Sequence, residues 1–217
     1  MNLNPEEVAE YLQHNPEFFE LHAHLLTEVY IPHPHGGRSI PLAERQLLAM
    51  RDKNRAMEDK LLELVEFGEE NDVIGEKVHA LGVEMLGARD FDEVLGAVYA
   101  GLKLDFAVDD VAIRFFAAGP ATRPEFAPLS ADLKTLVEQM ITPACGQAVH
   151  ADIPDWFPDV KAASFATIPL RREQNTIGVL VLASANPTRF HKEMGTLFLS
   201  RIGAMVAAAT GKFLPPQ

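Results

Sequence analysis

Apolar positions recur along this chain with a helical period at both ends and a strand period between them. Asn4-Pro5-Glu6-Glu7 has the residues of a helix start: an Asn cap, Pro at the first helical position and acids facing the positive end of the helix dipole. A short helix to about Gln13 is predicted. Asn15-Pro16-Glu17 repeats the signal and opens a second helix with Phe18, Phe19, Leu21, Leu25 and Leu26 on it, so the two form a helical hairpin. Pro and Gly between Ile31 and Gly37 break regular structure before Ser39 caps the next element. From Ile40 to about Gly87 the chain is polar, charged and rich in Leu and Met, which predicts one or two long helices. Leu47, Met50, Asn54, Met57, Leu61 and Leu64 are spaced three, four, three, four and three apart, the heptad spacing of a coiled-coil seam. Gly68, Asn71 and Gly75 interrupt that seam, and Ile74, Val78, Leu81 and Met85 resume it in a shifted phase, so a bend or fray is expected there.

Beyond Asp90, a further helix cap, the period changes. Val111, Ile113 and Phe115 alternate with Ala112, Arg114 and Phe116, which predicts a strand ended by Gly119-Pro120. Ser130 to Ile141 is helical in pattern and Thr142 to Phe157 irregular. Ser164 to Leu170 and Thr176 to Ser184 are apolar strands joined by the polar turn Arg171 to Asn175, an antiparallel hairpin. Phe190 to Phe213 reads as a closing helix with Met194, Phe198, Ile202, Met205 and Ala209 along one stripe. The expected fold class is α+β: an antiparallel sheet flanked by helices, preceded by the hairpin and the long coiled-coil helix. The corresponding segments are 1–38, 39–87, 88–213 and a tail, 214–217.

Length and charge narrow the partners. A chain of 217 residues holds one domain with a full core and an extension. Nineteen basic residues against 31 acidic ones give a net charge of -12, a field that repels nucleic-acid phosphates and anionic membrane surfaces. No apolar run reaches the ~20 residues of a membrane span, and Met1 to Glu10 lacks the pattern of a signal peptide, so a cytoplasmic location is expected. Cys145 is the single cysteine, which excludes an internal disulfide and dithiol chemistry within one chain.

Ser164-Phe-Ala-Thr-Ile-Pro-Leu170, the polar turn, Ile177-Gly-Val-Leu-Val-Leu-Ala-Ser184 and Phe190 before a helix resemble the end of GAF domains. His33, Gly37, Leu42-Ala-Glu-Arg-Gln46, Arg51 and Glu70-Asn71-Asp72 resemble the bacterial family of domain of unknown function 484, and that resemblance covers nearly the whole chain. Ile40-Pro41 departs from it by interrupting the helix start. The resemblance implies a GAF-like domain behind a helical N-terminal region, in a family with no established activity. GAF domains as a class are implied to be sensors, holding a small ligand between one sheet face and its loops and pairing through helices on the other. The pairing helices here would be Ile40 to Gly87 and Phe190 to Phe213.

Ser164, Ala166, Ile168 and Leu170 share one strand face and Phe165, Thr167 and Arg171 the other. Arg114, Trp156, Phe165 and Thr167 are therefore the candidate ligand-binding residues, around a concavity on the face away from the long helices. Arg114 is the most informative of them, because an arginine in an apolar strand must reach solvent, a carboxylate or a ligand anion. Its plain alternative is a salt bridge to an acid such as Asp109. His22, His24, His33 and His35 form two close pairs, but two imidazoles are not a metal site, and no metal is expected. Cys145 beside Gly146 has no orienting group in view, so a small buried residue is expected there and not a nucleophile. Glycine-rich phosphate loops and the Asn-Lys-Phe-Asp-Glu signature of cyclic-nucleotide GAF domains are missing, and one cysteine argues against methionine sulfoxide reduction.

The expectation is a non-catalytic regulatory protein without a cofactor. It senses an unidentified small molecule and transmits the signal through a homodimer to another protein. The seam Leu47, Met50, Asn54, Met57, Leu61 and Leu64 would form the dimer interface. The alternative is a structural adaptor whose pocket its own side chains fill.

Overall fold

Asn4 starts the first helix as its side chain dictates, accepting a hydrogen bond from the Glu6 N–H at 3.3 Å. Helix α1 (Pro5–His14) ends where the Asn15 side chain donates to Tyr11 O at 2.8 Å. The computed structural model describes residues 4–31, 40–120 and 122–215. The chain parts into two units, 1–69 and 70–217.

In the first unit the second helix of the expected hairpin is two single turns, α2 (Phe18–Leu21) and α3 (Leu25–Glu28). The chain leaves the helical region at His22, with φ -122° and ψ 40°, while its N–H still bonds Phe18 O. No side chain of α1 or α2 is buried, so little packing opposes the break. The two-residue strands β1 (Tyr30–Ile31) and β2 (Ile40–Pro41) pair antiparallel. The Ile40-Pro41 interruption is thus a strand that delivers the chain to the long helix. The expected loop, the Ser39 cap, and His33, His35, Gly36 and Gly37 lie outside the described residues.

Helix α4 (Leu42–Gly87) runs for 46 residues and belongs to both units. It passes Gly68, Asn71 and Gly75 without a break, so the expected fray does not occur. Each glycine costs about 1 kcal/mol in a helix, and the surrounding Leu, Glu, Met and Lys residues offset it. In the second unit Val78, Leu81 and Met85 are buried. They cover the sheet, where the sequence suggested a resumed seam facing a partner.

Helix α5 (Phe91–Leu104) is capped by Asp90, whose carboxylate accepts from Glu93 N at 2.9 Å. Strand β3 (Asp110–Phe115), helix α6 (Ala131–Gln139), and strands β4 (Ala144–Gly146), β5 (Ser164–Arg172) and β6 (Asn175–Ser184) precede helix α7 (Leu197–Gly211). The strands form one antiparallel sheet in the order β3-β6-β5-β4, an α+β fold. The β5–β6 turn is tighter than expected: Arg172 faces Asn175, and Glu173 takes φ 55°. Strand β4 lies inside the stretch expected to be irregular. It is three residues long, between Pro143 and a Gly146 at φ 127°, too short for periodicity to register.

The closing helix starts seven residues later than expected. Phe190 is buried as a plug against the sheet, and the chain turns through Gly195 before Thr196 opens α7. The buried residues of α7 are Leu199, Ile202, Gly203, Val206, Ala207, Thr210 and Gly211, and of the expected stripe only Ile202 is among them. One apolar cluster joins α7 to α4, α5 and the sheet face of Val111, Ile113, Ala166, Ile168, Leu180 and Leu182. The other face, with Ala112, Phe165, Val179, Val181 and Ala183, packs on Leu133, Val137, Ile153 and Phe157. Among the described residues no helix is long and apolar enough to cross a membrane.

Strand β6 meets β3 closely at Gly178, where a Cβ would come within 2.5 Å of the Arg114 carbonyl oxygen and 3.1 Å of Phe115 Cα. Both are backbone atoms and cannot rotate away. Gly178→Ala is expected to lower the unfolding free energy by about 1 to 3 kcal/mol, read from denaturant midpoints. An unchanged midpoint would show that the β3–β6 pairing yields more freely than this spacing allows.

Candidate functional site

Alternation along β3 and β5, together with the register, decides where the candidate residues point. Arg114 pairs with Val179 and Thr167 with Val181, and those two valines share the face that carries Phe165. All three candidates from the strands therefore lie on the face away from α4, α5 and α7, as does Trp156 in the single turn Pro154–Trp156. They do not all meet. Strands β3 and β5 are separated by β6, so Arg114 and Thr167 stand two strand spacings apart, about 10 Å. Leu133, Val137, Ile153 and Phe157 fill the space over the central strands and are all buried. The Phe165 ring lies 6.0 Å from that of Phe157.

The structure brings Arg114 to Trp156, with the guanidinium carbon 4.8 Å from the indole centre, a cation–π contact. Arg114 Nη1 also donates to the Ile113 carbonyl at 3.0 Å. Its countercharge is Glu125, a residue the sequence did not single out. Glu125 is 8% exposed and accepts a hydrogen bond from the Tyr99 hydroxyl at 3.0 Å. Burial and the Glu125 charge push the Tyr99 phenol well above its ordinary range, so it stays a donor. Burial lowers the Arg114 pKa, while Tyr99 and Glu125 oppose that shift. Asp109, the acid the sequence suggested for Arg114, is engaged elsewhere. It accepts from Ser184 Oγ at 2.6 Å and Ala185 N at 2.8 Å, bonds that hold its carboxyl below the usual range. Tyr99 and Glu125 had no signal in sequence because they come from segments separate from those of Arg114 and Trp156.

Thr167 is fully buried and its hydroxyl has no hydrogen-bond partner. Cys145 sits in β4 opposite Ala166, half-buried, and burial raises its thiol pKa. A protonated thiol is a poor nucleophile. His22 and His24 have ring centres 6.0 Å apart, and no group of three or more metal-ligating side chains occurs among the described residues.

The family described as "Protein of unknown function, DUF484" matches residues 1–214. The uncharacterized protein YigA of Salmonella typhimurium (strain LT2) is 23% identical over 216 residues, covering 94% of this chain and 89% of its own. The protein of that name from Escherichia coli (strain K12) is 21% identical over the same length and shares. Among solved structures, the GAF domain of the Escherichia coli potassium sensor histidine kinase KdpD is similar at 15% identity and a TM-score of 0.44. That alignment covers 64% of this chain and 93% of that one. The GAF domain of an Acinetobacter phosphoenolpyruvate-protein phosphotransferase is similar at 16% identity and a TM-score of 0.47, covering 63% and 92%. These are likenesses in the arrangement of the chain and carry no ligand with them.

An unpaired buried hydroxyl costs about 1 to 3 kcal/mol, and valine has the shape of threonine without it. Thr167→Val is therefore expected to raise the unfolding free energy by about 1 kcal/mol in denaturant titration. A loss of that size would show that the hydroxyl is bonded in solution and belongs to a working polar site.

Proposed function

Because this chain belongs to the DUF484 family, in which no chemistry is assigned to guide the reading, we propose a function from the structure's own division of labour: a non-catalytic regulatory protein acting as a parallel homodimer paired through α4. One observation carries it. The helix that buries Val78, Leu81 and Met85 beneath the sheet also carries, between residues 47 and 64, an apolar stripe open to solvent. Leu47, Met50, Met57, Leu61 and Leu64 are 50–66% exposed. Burying a half-exposed leucine or methionine contributes about 1 kcal/mol, so five from each chain outweigh the cost of ordering them. Asn54 occupies an a position of the seam, where a polar side chain sets register at some cost in stability.

In that frame Lys53 is a g position and Glu58 the following e position, and a parallel pair brings one to the other across the interface. Exposed ion pairs contribute about 0.2 to 1 kcal/mol. They favour the parallel arrangement while the apolar seam supplies the affinity. A shift in the sheet would pass to the seam through a helix with no break at Gly68 or Gly75 to absorb it. The output of such a dimer is a change in what α4 and the first unit present to another protein. The half-buried Cys145, whose thiol pKa burial raises, supports the non-catalytic reading.

A second reading, a structural adaptor without a ligand on the outer sheet face, is favoured by the packing of Leu133, Val137, Ile153 and Phe157 over it. It shares the dimer and differs in having no input at that face.

Replacing both Leu61 and Leu64 by Glu is expected to give monomers in sedimentation at micromolar concentration, with the thermal unfolding of the sheet unit unchanged. Wild-type protein that sediments as a monomer under the same conditions would overturn the pairing.

A further inference from the structure

The second unit contains a cavity on the helix-covered side of the sheet, opposite the outer face considered above. Its volume is about 250 Å³. The walls come from α4, α5, β6, the Arg189–Gly195 segment and α7, and the floor from Leu102, Leu182, Phe190 and Ile202, all buried. Two charged side chains line it, Lys77 and Arg189, and no acid does. In a chain with a net charge of -12, an apolar recess bounded by two cations is a local reversal of the average field.

Neither cation is fully engaged. Lys77 makes no ion pair among the described residues. Arg189 donates through Nη2 to the Phe106 carbonyl and stands over the Phe190 ring, and Asp109 lies within its electrostatic reach. Its Nε is buried with no hydrogen-bond partner. Buried N–H groups of a charged side chain are ordinarily paired, and an unpaired one is costly.

From these observations we propose that the cavity binds a monocarboxylate with an apolar body, such as a medium-chain fatty acid. The carboxylate sits between the Lys77 ammonium and the Arg189 guanidinium, and the alkyl chain lies over Leu102, Leu182 and Ile202. An apolar cavity of about 150 Å³ holds a benzene ring, so the larger volume here accepts a chain of roughly eight to ten carbons. A neutral alcohol fills the same recess but leaves both cations unneutralised. A cationic amphiphile is repelled by them.

Such a ligand touches Ile74 and Lys77 on α4 and Phe198, Leu199 and Ile202 on α7. The site goes beyond the pairing reading and does not depend on it, though it offers that reading an input different from the outer sheet face.

The test uses the full chain and decanoate below its micellar concentration, with 1-decanol as the uncharged comparison, by calorimetric titration and thermal shift. Decanoate is expected to bind at least tenfold more tightly than decanol. Lys77→Met should weaken decanoate about tenfold and leave decanol unchanged. At Gly195 a Cβ meets nothing within 4 Å, so Gly195→Phe has room to fold, and it should remove binding of both. Equal affinity for the two probes, no binding of decanoate to wild type, or full binding by either variant would overturn the proposal. If Gly195→Phe does not fold, Lys77→Met and the decanol comparison still decide. Sedimentation separates this result from the dimer: a monomer that binds decanoate contradicts only the pairing, and a dimer that ignores decanoate contradicts only this site.

Discussion

Strand β6 is apolar on both sides, and that constraint organises the second unit. From Val179 to Ala183 every side chain is buried, so each face of the strand requires its own cover. Leu133, Val137, Ile153 and Phe157 supply one cover, and α4, α5 and α7 supply the other. Those helices approach closely because glycines sit at the contacts. A Cβ at Gly203 would lie 2.6 Å from Ile168 Cγ2, and one at Gly101 would lie 2.8 Å from Leu81 Cδ1. Val78, Leu81 and Met85, from the last turns of α4, belong to that helical cover.

The dual use of α4 follows. Its C-terminal turns are committed to the core, while the stripe of Leu47, Met50, Met57, Leu61 and Leu64 keeps its apolar side chains in water in the single chain. A scattered exposed leucine needs no explanation, but a heptad row of them on one helix does. In the proposed dimer a partner copy would satisfy it with the same residues from the other side, with Asn54 setting which residues face one another. The cavity bounded by Lys77 and Arg189 draws part of its wall from α4 as well, through Ile74 and Lys77.

Much of this was legible in the sequence because the governing signals are local. The caps at Asn4 and Asp90, the alternation in β3 and the apolar hairpin of β5 and β6 each depend on neighbours within a few residues. What was not legible depends on contacts between distant segments. The break at His22 to His24 arises where no packing sustains a helix, and α7 starts late because Phe190 serves the core better as a plug than as a helical residue. Continuity of α4 through Gly68 and Gly75 reflects the helix formers around them, which a search for breakers undervalues. At the site, Arg114 announced itself as a charge in an apolar strand, and its stacking on Trp156 joins two of the proposed residues. Glu125 and Tyr99, its electrostatic partners, lie on the segments at 124–126 and 91–104 and showed no pattern. The pair of Lys77 and Arg189 is 112 residues apart in sequence, beyond any periodic signal.

The parallel, in-register seam is what the proposed dimer depends on, and the single native cysteine makes it directly measurable. In a Cys145→Ala background, cysteines placed at Asn54 or at Asp59 report two faces of one helix, an a position and the outward f position. A disulfide needs Cβ atoms about 4 Å apart, which the two Asn54 positions of a parallel pair approach and the two Asp59 positions do not. Asn54→Cys is predicted to cross-link to a dimer under mild oxidation far faster than Asp59→Cys. Cross-linking at Asp59 as fast as at Asn54, or none at Asn54, would contradict the seam.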